Sequence, residues 1–426
     1  MVAPPYFAVP PNAYGGVEAV VADLVDALVD RGHEVVLVGA GRRGTRAQHF
    51  HATYQDPPGD QLGDPLPEVL HAARTARFLD GVDVDLVHDH TLAGPLMARG
   101  RRRPTVVTVH GPVNGEPGDY YRALDGTAGL IAISDAQRSS APDLAWVGTV
   151  HNALRVGTFP FRRDKEDFAL FLGRFSPDKG AHLAIDAARQ AGLRLVLAGK
   201  CAEPIEHEYF ARQIAPRLGA DTTMFGTADA REKRDLLARA ACLLAPVCWE
   251  EPFGLVMIEA MACGTPVVAL RRGAVPEVVV HGITGMVVDD PAGLPAAIHA
   301  ARALDPAACR SHVERHFSVE AMAGGYERAY RHLLGADTFD TGTGPSGTGT
   351  GPFGAANGPA PGRRPGQPSI DRPEPSTTRH RQPSGTTRGR ACAVEAVVPM
   401  ARVAGVAAEV AEVPRVAEID AFQATN

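Results

Sequence analysis

The sequence predicts an α/β protein with two doubly wound halves, and three observations lead to that prediction. Short apolar runs rich in β-branched residues alternate with amphipathic stretches along most of the chain. These runs are continuous, which is typical of parallel strands buried on both faces. The polar stretch FPFRRDKED at 159–167 interrupts the pattern once. A chain of 426 residues is long enough for two such domains and a tail.

The domain boundaries follow from these changes of pattern. We expect a first Rossmann-like domain over 1–158 and a second over 168–318. A helix at 319–334 is expected to cross back to the first domain. Residues 335–426 begin with a run of Gly, Pro, Thr and Ser and are expected to form a disordered tail, because such a composition cannot bury a core.

The apolar runs define the strands and one clear helix. That helix extends from Val17 to Arg31, where valines and leucines form one stripe and the acids, Glu18 among them, lie largely off it. The first residues, MVAPPYF, look like the end of a further strand. The predicted strands are 34–40, 85–90, 104–111, 129–134 and 144–152 in the first half and 168–174, 193–200, 222–226, 242–248, 265–270 and 284–290 in the second.

The composition argues against several classes of protein. The formal net charge of −6 gives no reason to expect a nucleic-acid partner. The six cysteines contain no C-x-x-C pair, which is typical of reduced, buried thiols in a cytosolic protein. No apolar run approaches the ~20 residues of a membrane span, and the N-terminal residues show no signal-peptide pattern. We expect a cytoplasmic protein, either free or held peripherally at the inner face of the membrane.

The segment from Glu251 to Gly264 carries the strongest indication of a ligand site. An apolar strand is followed by a turn at Pro252–Gly254 and then by a helix, whose first backbone amides suit a phosphate. Glu251 and Glu259 flank this helix start and can hold hydroxyls on either side of a diphosphate. From the residues alone, Glu259 is equally well explained as a surface residue and Glu251 as a cap.

Two further segments can also bind an anion. In GRFSPDKG, Arg174 and Lys179 follow a strand and can stabilise a departing diphosphate without a metal, although they can equally be ordinary loop charges. Gly15 and Gly16 directly precede the first helix and form a second anion-accepting helix start.

Histidines end two neighbouring predicted strands. His110 stands at the carboxyl end of the run TVVTVHG, where ligands bind in open α/β sheets. His88 and His90 end the preceding strand. Their H-D-H pattern is too short to specify a metal, so we expect either acceptor contacts or structural roles.

These segments together resemble glycosyltransferase family 4. Its members carry E-x-F-G-x-x-x-x-E followed by A-M-A-x-G-x-P-V-V, and every one of those residues stands between Glu251 and Val268. The resemblance covers roughly residues 1–334. It implies the GT-B fold, with two Rossmann-like domains facing a central cleft, and a retaining transfer of a hexose from a nucleoside-diphosphate sugar, with UDP as the expected nucleotide.

The resemblance also implies roles for individual residues. Glu251 is expected to contact the donor sugar and Glu259 the ribose, without a metal or other cofactor. The catalytic residues are expected to be His110, Arg174, Lys179 and Glu251. The donor is expected to contact Gly15, Gly16, Gly173, Arg174, Lys179, Glu251, Phe253, Gly254, Leu255 and Glu259. Glu18, His88 and His90 are assigned to the acceptor side, although the helix dipole alone favours an acid at the position of Glu18.

Two other patterns indicate different classes of enzyme. GAGRRG at 39–44 matches a dinucleotide fingerprint, but a polar, aperiodic stretch follows where that fingerprint needs a helix. Asp83 and Asp85 match the D-x-D of metal-dependent transferases but precede their strand. A catalytically silent sugar-nucleotide-binding protein and a Rossmann oxidoreductase are the alternatives. The acceptor can be a glycan, a lipid-linked sugar or a small molecule, and the loop 55–67 is expected to line its site.

Overall fold

Two parallel β-sheets lie on either side of residues 159–167 in the computed structural model, which describes residues 1–12 and 15–335. Ala13, Tyr14 and the predicted tail from 336 onward lie outside the described residues. The first half contains strands β1 (Val36–Ala40), β2 (His49–Tyr54), β3 (Val87–Asp89), β4 (Thr105–Val109), β5 (Gly129–Ala132) and β6 (Trp146–Thr149), with helices α1 (Gly16–Asp30), α2 (Pro65–Leu79), α3 (Glu116–Ala123) and α4 (Asp135–Ser140).

The first-half strands form a four-stranded sheet of order β3-β4-β5-β6 and a parallel pair β1-β2. Val2 bridges to Val38 of β1 and to Asp89 of β3, so the first residues lie between these two strands. That is where the sequence places the end of a further strand. Because β3 and β4 are parallel, their carboxyl ends lie at the same edge of the sheet. His90 and His110 directly follow these two strands in the chain.

The second half forms one parallel sheet of order β12-β11-β10-β7-β8-β9. Its strands are β7 (Phe168–Leu172), β8 (Arg194–Ala198), β9 (Thr222–Gly226), β10 (Cys242–Ala245), β11 (Val267–Leu270) and β12 (Gly285–Val288). Its helices are α5 (Ala181–Gln190), α6 (Pro204–Tyr209), α7 (Ala230–Arg239), α8 (Leu255–Ala262), α9 (Val275–Val278), α10 (Leu294–Ala301), α11 (Pro306–His316) and α12 (Val319–Leu333). The strand order reverses between β7 and β10, and ligands bind at such a switch point.

The buried strands follow the predicted pattern closely because both of their faces are covered. Leu170 of β7 packs in the core beneath α8, whereas Ala169 and Phe171 pack in the core on the opposite face, beneath α5. Every predicted strand is present within its predicted range; β9 has the predicted bounds and the others are shorter than predicted. A continuous run of apolar residues therefore predicts a strand correctly wherever helices cover both faces of the sheet.

One strand escaped the sequence analysis. β2 has the sequence HFHATY and pairs only with β1, so it lies at an edge and stays partly exposed. An edge strand of this kind needs no continuous apolar run. Its histidines and threonine interrupt the apolar pattern, so the sequence does not predict it. Its presence confirms that no helix follows Gly44, as the argument against a dinucleotide fingerprint requires.

The last helix, α12, lies against α1 and β6 of the first half. Tyr326 is fully buried there, and its hydroxyl group lies 3.0 Å from Thr108 Oγ1 of β4. Gly325 allows the close approach, since a Cβ at this position would lie 3.0 Å from a methyl carbon of Val150.

Within the described residues, no helix combines enough length and apolar character to cross a membrane.

An ionic contact fastens α12 to the end of α1. Arg31 donates to both carboxylate oxygens of Glu327 at 2.8 and 2.7 Å, and His33 Nε2 lies 2.9 Å from Oε1. The hydrogen bonds from Arg31 and then from His33 lower the pKa of the Glu327 carboxyl from 4.5 to about 2. The carboxylate is almost fully buried while its partners are half-exposed.

Replacing Glu327 with glutamine is expected to lower the free energy of unfolding by about 1–2 kcal/mol, because half-exposed partners weaken a charge-assisted hydrogen bond. The pKa of this carboxyl is depressed by folding, so its stabilisation is complete above pH 4.5 and is lost as the pH falls towards 2. Urea denaturation should therefore separate variant and wild type at neutral pH and bring them together near pH 2. Glu314→Gln, which removes an exposed carboxylate paired with Arg310, is the control. An equal effect of both variants at neutral pH would contradict a special role for Glu327.

Candidate active site

Two adjoining cavities open between the two halves, at the switch point of the second sheet. We name them the Glu259 cavity, of about 400 Å³, and the Glu251 cavity, of about 380 Å³. Pro10, Pro11 and α1 contribute to the first, and His110 and Asn152 to the second. The residues shared by both cavities are Gly16, Leu172, Gly173, Arg174, Leu255 and Val256.

The Glu251 cavity holds a carboxylate that is already engaged by two donors. Lys179 Nζ lies 2.6 Å from Glu251 Oε2, and Trp249 Nε1 donates to the same oxygen at 2.9 Å. The ammonium group of Lys179 also stands 4.9 Å from the centre of the Trp249 ring. Because both donors use Oε2, the second oxygen of Glu251 remains available to a ligand hydroxyl.

The start of α8 forms the floor shared by the two cavities. Gly254 begins the helix at φ 84°, a conformation that favours glycine, and a side chain there would collide with Met257. Phe253 is buried against Phe317 and so fixes the turn before the helix. The backbone amides of the first turn therefore face the cavities and present partial positive charge.

The Glu259 cavity contains a second acid–lysine pair. Lys233 Nζ lies 2.5 Å from Glu259 Oε1, and both side chains are mostly buried. Glu259 stands one turn after Leu255, so it faces the same cavity as the helix start. This position rules out the alternative of an exposed surface residue. The sequence analysis missed Lys233, which comes from α7, because nothing in its local sequence connects it with α8.

Arg174 lies at the junction of the two cavities. Its guanidinium group lies 3.7 Å from a carboxylate oxygen of each of Glu203 and Glu206 and 4.0 Å from Asp178. These distances are too long for hydrogen bonds. Glu206 is fully buried, and its Oε1 has no hydrogen-bond partner within the described residues. Arg174 is therefore held by charge alone and can turn towards an anionic ligand.

The first half brings a second helix start to this point. Gly15 stands at φ 136° directly before α1, and a Cβ on Gly16 would lie only 3.1 Å from a methyl carbon of Leu255. The starts of α1 and α8 are therefore in contact. A bound phosphate can receive hydrogen bonds from the backbone amides of both helices.

His110 lines the Glu251 cavity, as the sequence predicts for the end of β4. Its Nε2 lies 2.9 Å from Nδ1 of His90, which is buried behind it. Burial lowers the pKa of His110 to about 4, so the ring is neutral at neutral pH. It can offer a ligand a hydrogen bond but not a charge.

Two residues assigned to the acceptor side lie elsewhere. His88 is buried between β4 and α12, where its nitrogens lie 2.7 Å from Tyr330 Oη and 2.8 Å from Thr108 Oγ1. This geometry fits the structural alternative. Glu18 is also buried, and the prediction that it lies off the buried face of α1 is wrong. The Glu259 and Glu251 cavities are lined by none of Glu18, His88 and His90, nor by the loop 55–67.

Glu277 of α9 joins the two halves beside the Glu251 cavity. Its carboxylate accepts hydrogen bonds from the backbone amides of Asp135 and Ala136 at the start of α4, at 2.8 and 2.5 Å. It also lies 3.2 Å from Nε2 of His151, whose ring packs near Phe253. The sequence analysis missed this contact, since an acid in a short helix carries no signal of its partner.

The D-x-D pattern at Asp83 and Asp85, which is typical of metal-dependent transferases, lies outside both cavities. Asp83 precedes β3, and its carboxylate forms an exposed ion pair with Arg103 at 2.9 Å. Within the described residues, no three His, Cys, Asp or Glu side chains come together as a metal site would require.

Comparison with known proteins identifies the family of the chain. Residues 159–304 match the family model of glycosyl transferases group 1, and residues 14–165 match that of glycosyltransferase family 4. Alpha-maltose-1-phosphate synthase of Mycobacterium tuberculosis is 30% identical over 378 residues, which cover 74% of this chain and 94% of that protein. The chain belongs to glycosyltransferase family 4.

Solved structures agree with this assignment. AviGT4, a glycosyltransferase involved in avilamycin A biosynthesis, is 28% identical with a TM-score of 0.59, covering 78% of this chain and 93% of that one. Anabaena Alr3699/HepE, solved in complex with UDP-glucose, is 20% identical with a TM-score of 0.58 over 75% of this chain and 97% of that one. That likeness concerns the fold alone. The protein is thus a glycosyltransferase with the GT-B fold.

Proposed function

We propose that this glycosyltransferase moves a hexose from a nucleoside-diphosphate sugar, with UDP as the favoured nucleotide, to an acceptor hydroxyl with retention of configuration. The observation that carries the proposal is the pair of carboxylate–lysine contacts on either side of the start of α8. Lys179 meets Glu251 on one side, Lys233 meets Glu259 on the other, and Arg174 lies at the junction between them.

The cavities suggest how such a donor is oriented. The nucleoside occupies the Glu259 cavity, where its ribose hydroxyls donate to Glu259. The diphosphate lies at the junction, against the helix starts and Arg174. The hexose enters the Glu251 cavity, where its hydroxyls reach Glu251 and the neutral ring of His110. The Alr3699/HepE structure in complex with UDP-glucose supports UDP as the nucleotide.

Each of the two lysines is paired with a carboxylate before the donor arrives. When donor hydroxyls bind the carboxylates, each ammonium group can turn towards the diphosphate. The bond between the anomeric carbon and the phosphate oxygen then breaks, and its electron pair stays on the diphosphate. Arg174, Lys179 and the helix amides stabilise this charge without a metal. Retention follows the pattern of the family and requires the acceptor oxygen to bond to the anomeric carbon on the face that the diphosphate leaves. The departing diphosphate oxygen takes up the proton of the acceptor hydroxyl.

An assay of nucleotide release tests the proposal. The full-length protein is incubated with UDP-glucose and other nucleotide sugars, with and without pools of glycan, lipid-linked and small-molecule acceptors, and free nucleotide is measured. We expect release that depends on the acceptor, that persists in EDTA, and that yields a product with the donor's anomeric configuration by NMR. No release with any donor would show a catalytically silent binding protein instead.

A further inference from the structure

A group of exposed apolar side chains lies on the first half, outside the lining of both cavities. We name it the α2 patch and define it by Leu66, Val69 and Leu70 of α2 with Leu92, Leu96 and Met97 around the 3₁₀ turn Gly94–Gly100. Leu66 is 71% exposed, and Leu92 and Leu96 are each 57% exposed. Half of the large apolar side chains that stand exposed in the described residues belong to this patch. Such a concentration of exposed apolar side chains indicates a surface that binds a protein or a membrane.

The two parts of the patch form one continuous surface. Glu68, in the middle of the α2 part, accepts hydrogen bonds from the backbone amides of Leu92 at 2.6 Å and Ala93 at 3.3 Å. Ala98 is buried beneath the 3₁₀ turn. The Tyr120 hydroxyl also donates to the Leu92 carbonyl and holds the turn from its other side. The patch is therefore held in place by these hydrogen bonds and does not depend on its own apolar side chains.

The exposed face of α2 is apolar in its first turns and basic in its last. Helical spacing places Leu66, Val69, Leu70 and Ala73 on one face and continues that face with Arg74 and Arg77. The opposite face, with His71, Ala72 and Thr75, is buried. Apolar residues followed by arginines on one helix face are typical of helices that lie on anionic lipid.

The charges around the patch have the same character. Arg102 is exposed just beyond the 3₁₀ turn, and Arg99 lies 3.9 Å from Asp125 in a weak, exposed contact. Among the acids of this region, Asp64 precedes α2, Glu68 turns its carboxylate towards the chain at Leu92, and Asp89 is buried under the 3₁₀ turn. An anionic surface complements the exposed arginines of this face.

We propose that the α2 patch docks the protein on a membrane surface that carries anionic lipids, with the apolar side chains entering the boundary between headgroups and acyl chains. This inference is independent of the proposed donor chemistry. The patch follows β3, at the same edge of the sheet as His110, so docking would place the acceptor side of the cleft near the bilayer.

Co-sedimentation with vesicles tests the proposal. The full-length protein is mixed with vesicles of phosphatidylcholine alone or of an equimolar mixture with phosphatidylglycerol. We expect the triple variant Leu66→Ser/Leu96→Ser/Met97→Ser to bind the mixed vesicles at least about tenfold more weakly than wild type. Arg74→Gln/Arg77→Gln should lose about fivefold per charge on mixed vesicles but nothing on neutral ones, and added salt should abolish that difference.

The matched control is Val280→Ser/Ile283→Ser, which removes exposed apolar side chains from the second half and should bind as wild type. Every variant keeps the residues after 335, so any contribution of their arginines is common to all. Unchanged circular dichroism and unchanged nucleotide release without vesicles show that the variants are folded. If wild type does not bind mixed vesicles, or the triple variant binds equally well, the proposal is wrong. A wild-type dimer by light scattering that the triple variant converts to a monomer, without lipid binding, would assign the patch to self-association and overturn the proposal.

Discussion

Replacing Arg174 with alanine is expected to lower kcat by about 10²–10³-fold, or ~3–4 kcal/mol of transition-state stabilisation, while the donor KM changes much less. The reason is that the diphosphate gains charge as it departs, and Arg174 lies at the junction of the cavities without a tight partner in the free protein. Steady-state rates of nucleotide release with a saturating acceptor measure the effect.

Two further variants test whether the effect depends on the guanidinium group at position 174 or on the loss of any positive charge. Arg174→Lys keeps one positive charge but loses the planar fork of the guanidinium group, so it should recover only part of the rate. Arg212→Ala removes an arginine of the same half that is 74% exposed and pairs with Glu208, and it should behave as wild type. If Arg174→Ala raises the donor KM while kcat stays unchanged, Arg174 contributes only to binding, and the proposed stabilisation of the leaving group is wrong.

Replacing Glu259 with alanine is expected to weaken donor binding by about 10–100-fold, since hydrogen bonds to a charged group are worth about 1.5–3 kcal/mol. The loss should appear with the free nucleoside diphosphate as well as with the nucleotide sugar, because Glu259 is proposed to hold the ribose. Isothermal titration calorimetry of both ligands measures it.

The matching control is the ligand itself. A nucleoside diphosphate without ribose hydroxyls should bind Glu259→Ala no more weakly than wild type, because the contact that the substitution removes is already absent. Glu251→Gln should weaken binding of the nucleotide sugar but not of the free nucleoside diphosphate. If Glu259→Ala loses as much affinity for the dideoxy ligand as for the natural one, Glu259 does not contact the ribose.

The sequence predicted those parts of the site that lie within one strand-to-helix connection. Glu251, Gly254 and Glu259 follow β10 within a single segment, and Arg174 and Lys179 follow β7 in the same way. The spacing of residues within such a connection determines which side chains face the cavities. The contact between the starts of α1 and α8 required only that both helices begin at the same cleft.

The parts that the sequence did not predict depend on packing between distant segments. Lys233 meets Glu259 from another helix, and Glu277 reaches the start of α4 across the cleft. Neither contact has a local pattern. Glu18 occupies a helix position that the stripe of apolar residues leaves outside, yet it is buried in the folded chain. The sequence did offer a signal for Trp249, because one of only two tryptophans stands two residues before Glu251.

The central claim is the orientation of a nucleotide sugar across the two cavities. A crystal structure with an unreactive analogue of the donor selected by the release assay, such as its 2-deoxy-2-fluoro sugar, tests it most directly. The account predicts ribose hydroxyls within hydrogen-bond distance of Glu259, about 2.6–3.2 Å, phosphate oxygens against Arg174 and the helix starts, and the hexose beside Glu251 and His110. A nucleoside in the Glu251 cavity, or a diphosphate away from Arg174, would contradict it.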